Sequence, residues 1–340
     1  MLDIFKSNPA FGVIPLTDAI NNVKFVPGRV GSMGLFSASS IATTAIAIEE
    51  KDGILTLVSP SPRGGPGQTV EKTGRRLRML SVPHFEINDA VMAEEVQGVR
   101  AWGSETNVEQ LMEKLAERGR IHSQSMAITE EHARVGAIKG VITYANGQTT
   151  NLFTEFGVNQ EIEADWDLDN ANPTAGVLRK KCAGLYRQMA AILDGLPFSG
   201  IHAFCGDAFF DDLIAHKETR ETYQEQEAAA LRAGYVSNGA SGSYGIFDFG
   251  GIRFENYRGY FSGTPFIGTD AVHFFPVGVP GLFRTVYAPA DYNETVNTMG
   301  RRLYVKQWAM PNDKGINLDT QMNALSYCTR PKVLIKGKRS

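Results

Sequence analysis

Between Ile41 and Phe85 the chain spends about 45 residues on two extended limbs with nothing beside them to fold around. The outward limb, IATTAIAIEEKDGILTLVSP, carries Asp52-Gly53 between two β-rich runs, which predicts a tight hairpin. SPRGGPGQ then reads as a flexible tip, and TVEKTGRRLRMLSVPHF as a basic, extended return. An isolated two-stranded ribbon is marginal in water because no second layer covers its apolar face. A chain that invests this heavily in such an arm is predicted to lay it on another subunit. Assembly is therefore indicated before catalysis.

Bulk properties leave room for that reading. The chain has 340 residues, 43% hydrophobic and 21% charged, enough for one large core or two modest ones. A formal charge of −3 argues against strong general binding to nucleic acid, which needs a clustered excess of Lys and Arg. No run approaches the roughly 18 apolar residues of a membrane span. Asp3 stands where a secretory signal would be basic, and no long apolar segment follows it. Cys182, Cys205 and Cys328 are widely spaced among apolar or small residues and read as buried free thiols in a reducing compartment.

Residues 1–40 are broken by Pro9, Pro15, Pro27 and the glycines of PGRVGSMG, and read as an extended arm. Helical character runs from Ile87 to Lys139. Thr106 and Glu109 form a candidate capping box, and Val108, Leu111, Met112 and Leu115, then Met126, Ile128, Val135 and Ile138, keep helical spacing. Unbroken from Asn107 to Lys139, that helix would span about 50 Å. Asn146-Gly147 predicts a second tight hairpin, and the acidic FGVNQEIEADWDLDNANP a crossover. From Thr174 another helix presents Leu178, Cys182, Leu185, Met189 and Ile192 as one stripe, stopped by Gly195 and Pro197. HAFCG reads as a buried strand, Asp207 as a helix cap, and KETRETYQEQEAAALRAGY as a polar helix. GIFDFG, IRFENYR, AVHFFPV, FRTVYA, RLYVKQWAM and NALSYCTRPKVLIKG read as closing strands. The class is α+β, without the strict alternation of a doubly wound sheet.

Chemistry is harder to find. His84, His122, His132, His202, His216 and His273 make no metal-binding pair in sequence. Asp165, Asp167 and Asp169 open like a calcium loop, but Asn170 and Gly176 stand where a glycine and a bidentate Glu belong. Gly28, Gly31 and Gly34 have the wrong spacing for a dinucleotide fingerprint. Ser241 sits between small residues without the GxSxG elbow or an identifiable His partner. Arg63, Lys72, Arg75, Arg76 and Arg78 either solvate a strand edge or dock on an acidic neighbour such as the Glu155 to Asp169 region. No residue is predicted to be catalytic, cofactor-binding or metal-ligating.

GIFDFGGIRFENYRG, FFPVG, FRTVYAPADYNETVNTMGRRLYVKQW and KGINLDTQMNALSYCTRPKVLIKG resemble the lambda-type major capsid protein family of tailed bacteriophages, capsid protein E. EEKDGILTLVSPSPRG, VPHF and DAVMAEEVQGVR extend the likeness over nearly the whole chain. The resemblance implies the Hong Kong 97 (HK97) type of capsid fold. Residues 1–40 would be its N-terminal arm and 41–86 its extended loop. The peripheral domain would take 87–170 with a returning strand at 300–312. The axial domain would take 171–299 with the C-terminal strand at 313–340, and its loop Ala288 to Asn297 would face a capsomere centre.

The same resemblance implies a non-enzymatic subunit that self-assembles, in the host bacterial cytoplasm, into the pentamers and hexamers of an icosahedral virion shell. Expected partners are other copies of the chain, a scaffolding protein, a decoration protein, a portal at one vertex, and double-stranded DNA held without sequence specificity. No long charged helical extension precedes the arm, hence a separate scaffolding protein. Maturation would be a hinge rearrangement, with Gly64, Gly65 and Gly67 freeing the loop tip. Two rival readings are an encapsulin-like compartment shell and a soluble α+β hydrolase with a nucleophile near Ser241.

Overall fold

The structure, a computed structural model, describes residues 28–51, 75–96, 107–170, 172–224, 245–261 and 264–340. Outside these lie the Asp52-Gly53 turn, the glycine tip, Arg63, Lys72, Thr106 and Ser241. In chain order the described elements begin with α1 (Arg29–Ser32), β1 (Phe36–Ser40), β2 (Ala45–Lys51), β3 (Arg75–Ser81), β4 (His84–Met92), α2 (Ala93–Val96) and α3 (Asn107–Lys139). There follow β5 (Val141–Thr143), β6 (Thr149–Asn151), α4 (Leu152–Phe156), β7 (Ala164–Asp165), α5 (Val177–Leu193), β8 (Gly200–Cys205), α6 (Asp207–Ala215) and α7 (Lys217–Gln224). The last elements are β9 (Ile246–Phe249), β10 (Ile252–Asn256), β11 (Tyr260–Phe261), β12 (Thr264–Pro265), β13 (Ala271–Val277), β14 (Phe283–Tyr287), β15 (Tyr304–Ala309), β16 (Gly315–Cys328) and β17 (Ile335–Lys338).

The 33 residues of α3 are one unbroken helix, as their periodicity predicts, and continue through Gly119. Its buried stripe lies along a five-stranded sheet built on β16. Residues 315–323 of β16 pair antiparallel with β4, and residues 316–321 pair with β15, so these two strands take opposite edges. Residues 324–328 pair with β14, which carries β1 in parallel. Leu115 of α3 packs with Val91 and Ile316, and Met126 with Leu303 and Met322. Near its C-terminus Val135 and Ile138 enter the main core.

A second sheet, of six strands, runs β7-β17-β13-β8-β10-β9. Its central strands β8 and β13 are buried along nearly their whole length because both faces are covered, which erases the alternation a one-sided strand would show. On one face Ile201, Ala203, Phe254 and Phe274 meet Leu178, Cys182 and Met189 of α5 and Phe209 and Leu213 of α6. On the other, Phe204 and Phe275 join the core shared with Ile138, Phe283 and Leu325.

Three local expectations need correction. Ile87 to Met92 is not helical but the second half of β4, paired with β16. NALSYCTRPKVLIKG is not one strand: β16 ends at Cys328, Pro331–Val333 forms a 3-10 turn, and β17 joins the other sheet. Proline cannot donate to a ladder, so the chain changes sheets there. Asp207 does not cap α6; Gly206 does, in extended conformation, where a Cβ would sit 2.1 Å from the Gly268 carbonyl. The Asp207 carboxylate instead accepts from Asn256, Arg258 and Tyr260.

β14, at 283–287, and the following loop belong with α3's sheet, and so does β16.

Candidate assembly surfaces

The root of the ribbon is formed by β2 and β3, antiparallel from Ala45↔Ser81 to Lys51↔Arg75. The basic return limb therefore does pair with the outward limb. Period-2 alternation gives the ribbon two unlike faces. Ile46, Ile48 and Leu80 turn inward and pack on the main core. Leu77 and Met79 turn outward and are 62% and 61% exposed. Their cross-strand partners are Glu49 and Ala47, so an apolar strip continues onto β2 through an alanine. Arg78 is held within its own subunit: its Nη1 donates to the Glu155 carbonyl at 2.8 Å.

A second exposed apolar group lies in the connection from β14 to β15, where Val296 and Met299 are 62% and 61% exposed. Asn323 Nδ2 donates to the Pro289 carbonyl, and the Asp291 amide donates to Gln321 Oε1. These bonds fasten the loop to β16. Lys306 pairs with Glu294 at 3.0 Å and lies over the Tyr292 ring.

Three buried carboxylates join the parts behind these surfaces. Glu130 of α3 accepts from Arg134, Arg302 and the Tyr287 hydroxyl, tying the helix to β14 and to the approach to β15. Its neighbour Glu131 accepts from the Val30 and Gly31 amides at 2.6 and 3.1 Å and from the Tyr257 hydroxyl. Glu255 of β10 takes the Arg29 guanidinium through both oxygens, at 2.5 and 2.8 Å, with His202 Nε2 at 2.9 Å. Burial pushes the Glu255 carboxyl up, but bonds from Arg29 and His202 outweigh it and hold it below the usual range. Gly28, Gly31 and the turn between them thus serve a carboxylate of the protein itself. No sequence spacing announces this, because both carboxylates lie 100 residues or more away.

The histidines stay apart in role. His122 is buried between Thr320 and Asp89, His84 bonds Asn323, and His132 meets the Phe266 ring edge-on. His273 is buried opposite Lys336. Asp165 and Asp167 spend their carboxylates on turns of their own loop. Among the described residues no group of three or more His, Cys, Asp or Glu could hold a metal ion, and no helix is long and apolar enough to cross a membrane.

The family model described as phage major capsid protein E matches residues 13–339. Over 344 residues the chain is 27% identical to the major capsid protein of Pseudomonas phage KPP10, covering 96% of this chain and 97% of that one. The major capsid protein of Salmonella phage Felix O1 is 25% identical over 353 residues, covering 96% and 95%. Among solved structures, a protein designated a prophage capsid protein of E. coli CFT073 superposes with a TM-score of 0.55 at 13% identity, covering 94% and 96%. At that identity the likeness carries the fold alone, an α+β capsid fold of the HK97 type.

Proposed function

The chain belongs to the phage major capsid protein E family, and from that premise we propose how its surfaces build the head. As a major capsid protein it is the structural subunit of the virion shell, and its work is association with further copies of itself. The paired strands β2 and β3 lie against a neighbouring subunit, with the outward strip of Leu77, Met79 and Ala47 as the contact. The observation that carries this reading is the pair of half-exposed large apolar side chains on one ribbon face, while the opposite face is already used at home. Apolar surface of this kind gains roughly 25 cal/mol per Å² when a neighbour covers it.

The peripheral and axial parts follow the two sheets. The peripheral part is α3 with β1, β4, β14, β15 and β16; the axial part is the six-stranded sheet with α5 and α6. Pentamers and hexamers form a closed icosahedral shell, and expansion of the head turns one part against the other. A scaffolding protein, a decoration protein, a portal and packaged DNA complete the set of partners. The net charge of −3 suits a shell that encloses DNA without gripping it.

The test is the double variant Leu77→Asp, Met79→Asp, expressed in the full chain and examined by negative-stain microscopy and sedimentation. Loss of particles with a folded, soluble protomer is expected. Shells formed in normal yield would refute the ribbon contact.

A further inference from the structure

One tetrapeptide is gripped from two sides. Val30 is fully buried in the main core, and its amide and that of Gly31 are fixed on Glu131, from the body of α3. Arg29 points the other way, to Glu255 on the six-stranded sheet. Two other polar contacts cross the seam between helix and sheet, the Tyr257 hydroxyl on Glu131 and Lys139 Nζ on the Phe266 carbonyl, and the remainder is apolar: Phe204 and Phe275 face Ile138 and Phe283, with the Phe275 and Phe283 rings 6.1 Å apart. Apolar contact is non-directional and tolerates sliding. A bidentate guanidinium–carboxylate pair has one geometry and breaks as a unit.

The two grips differ in how easily they open. The Arg29 side chain keeps 27% of its surface exposed and has water to move into, while Glu255 is fully buried and retains His202 when Arg29 leaves. Val30, by contrast, has no exposed surface to release.

We propose that residues 28–31 form a one-sided clasp, anchored permanently to α3 through Val30 and Glu131 and latched releasably to the six-stranded sheet through Arg29 and Glu255. Turning the six-stranded sheet against α3 must open the latch, while the anchor keeps the root of the N-terminal arm on the helix. The clasp therefore makes the change in angle all-or-none, with one arrangement before release and another after. It rests on the reading of the chain as a shell subunit whose two parts move in head expansion.

The test uses unexpanded shells of the full chain, parent against Arg29→Gln and Arg29→Lys, with shell radius followed by X-ray scattering at one temperature. Arg29→Gln shells should expand about tenfold faster or more. Arg29→Lys, which keeps the charge without the fork, should fall between. An unchanged rate in Arg29→Gln overturns the clasp. Failure of both variants to form shells also overturns it, since the contact would then be needed to build the subunit rather than held for release. A parent chain that forms no shells when produced together with its scaffolding protein refutes the shell-subunit reading itself, and the clasp with it.

Discussion

Arg29 and Glu255 stand 226 residues apart in the chain and meet through two nitrogen–oxygen contacts of 2.5 and 2.8 Å. The pair closes the fold across its seam, joining the start of the described chain to β10, one strand in from the edge of the six-stranded sheet. A buried carboxylate left without its partner is costly, on the order of 3–5 kcal/mol when one member of a buried pair is removed. His202 moderates that cost here by remaining on Glu255.

Gly28 is required by the neighbouring carboxylate rather than by its own dihedral angles. A Cβ at this position would lie 2.3 Å from Glu131 Cδ and 2.7 Å from Oε1. Gly28→Ala is expected to push the Glu131 side chain off the Val30 and Gly31 amides and to destabilise the protomer by about 1–3 kcal/mol. Thermal unfolding of the unassembled subunit measures it; an unchanged midpoint would show that Glu131 can give way freely.

Gly147 makes the opposite case. Its φ is +82°, yet nothing lies within 4 Å of an added Cβ. Gly147→Ala should therefore cost only the left-handed backbone penalty, about 1–2 kcal/mol, with no loss of packing. Denaturant unfolding should show a shifted midpoint with an unaltered slope.

These two glycines mark how far the sequence alone could be read. Asn146-Gly147 was legible because a tight turn is local: Asn146 Oδ1 accepts from the Gln148 amide, and β5 and β6 pair on either side. The 33-residue helix and the Leu178–Met189 stripe were legible for the same reason, a period written in adjacent turns. The clasp was not, since Gly28, Arg29, Glu131 and Glu255 carry no mutual spacing, and the glycine run resembled a failed nucleotide motif. The length of β16 was hidden too, because its apolar positions Ile316, Leu318, Met322 and Ala324 give way to Leu325 and Tyr327 in the opposite phase, which reads as two short strands.

The three cysteines should be inert in the folded subunit. All are buried; burial pushes the Cys182 and Cys328 thiols up to about 12 and raises Cys205 well above the ordinary thiol value. The thiolate is the reactive form, so almost none exists near neutral pH. A thiol reagent at pH 8 should label no cysteine in the native protein and all three after denaturation. Rapid native labelling of any one would place it at the surface instead.

Acid should weaken the subunit from about pH 6.5 downward, with His273 the largest cause beside His132 and His216, whose imidazoles burial also pushes down. Burial, reinforced by Lys139 and Lys336, pushes the His273 imidazole down to about 3 from an ordinary 6.5. The unfolded chain therefore binds a proton below pH 6.5 that the folded chain refuses. Stability from this group is complete above pH 6.5 and declines as pH falls toward 3, by about 1.4 kcal/mol per pH unit at most. Glu255, held below the ordinary 4.5, adds a second loss that begins only below that value. His273→Phe places an apolar ring beside the buried apolar residues of β13 and removes its own share of the first slope, leaving those of His132, His216 and Glu255. Unfolding free energies of the parent subunit measured between pH 7.5 and pH 4.5 should fall with acid, and those of His273→Phe should fall less steeply. Equal slopes for the two proteins would mean that His273 already takes up its proton in the folded state.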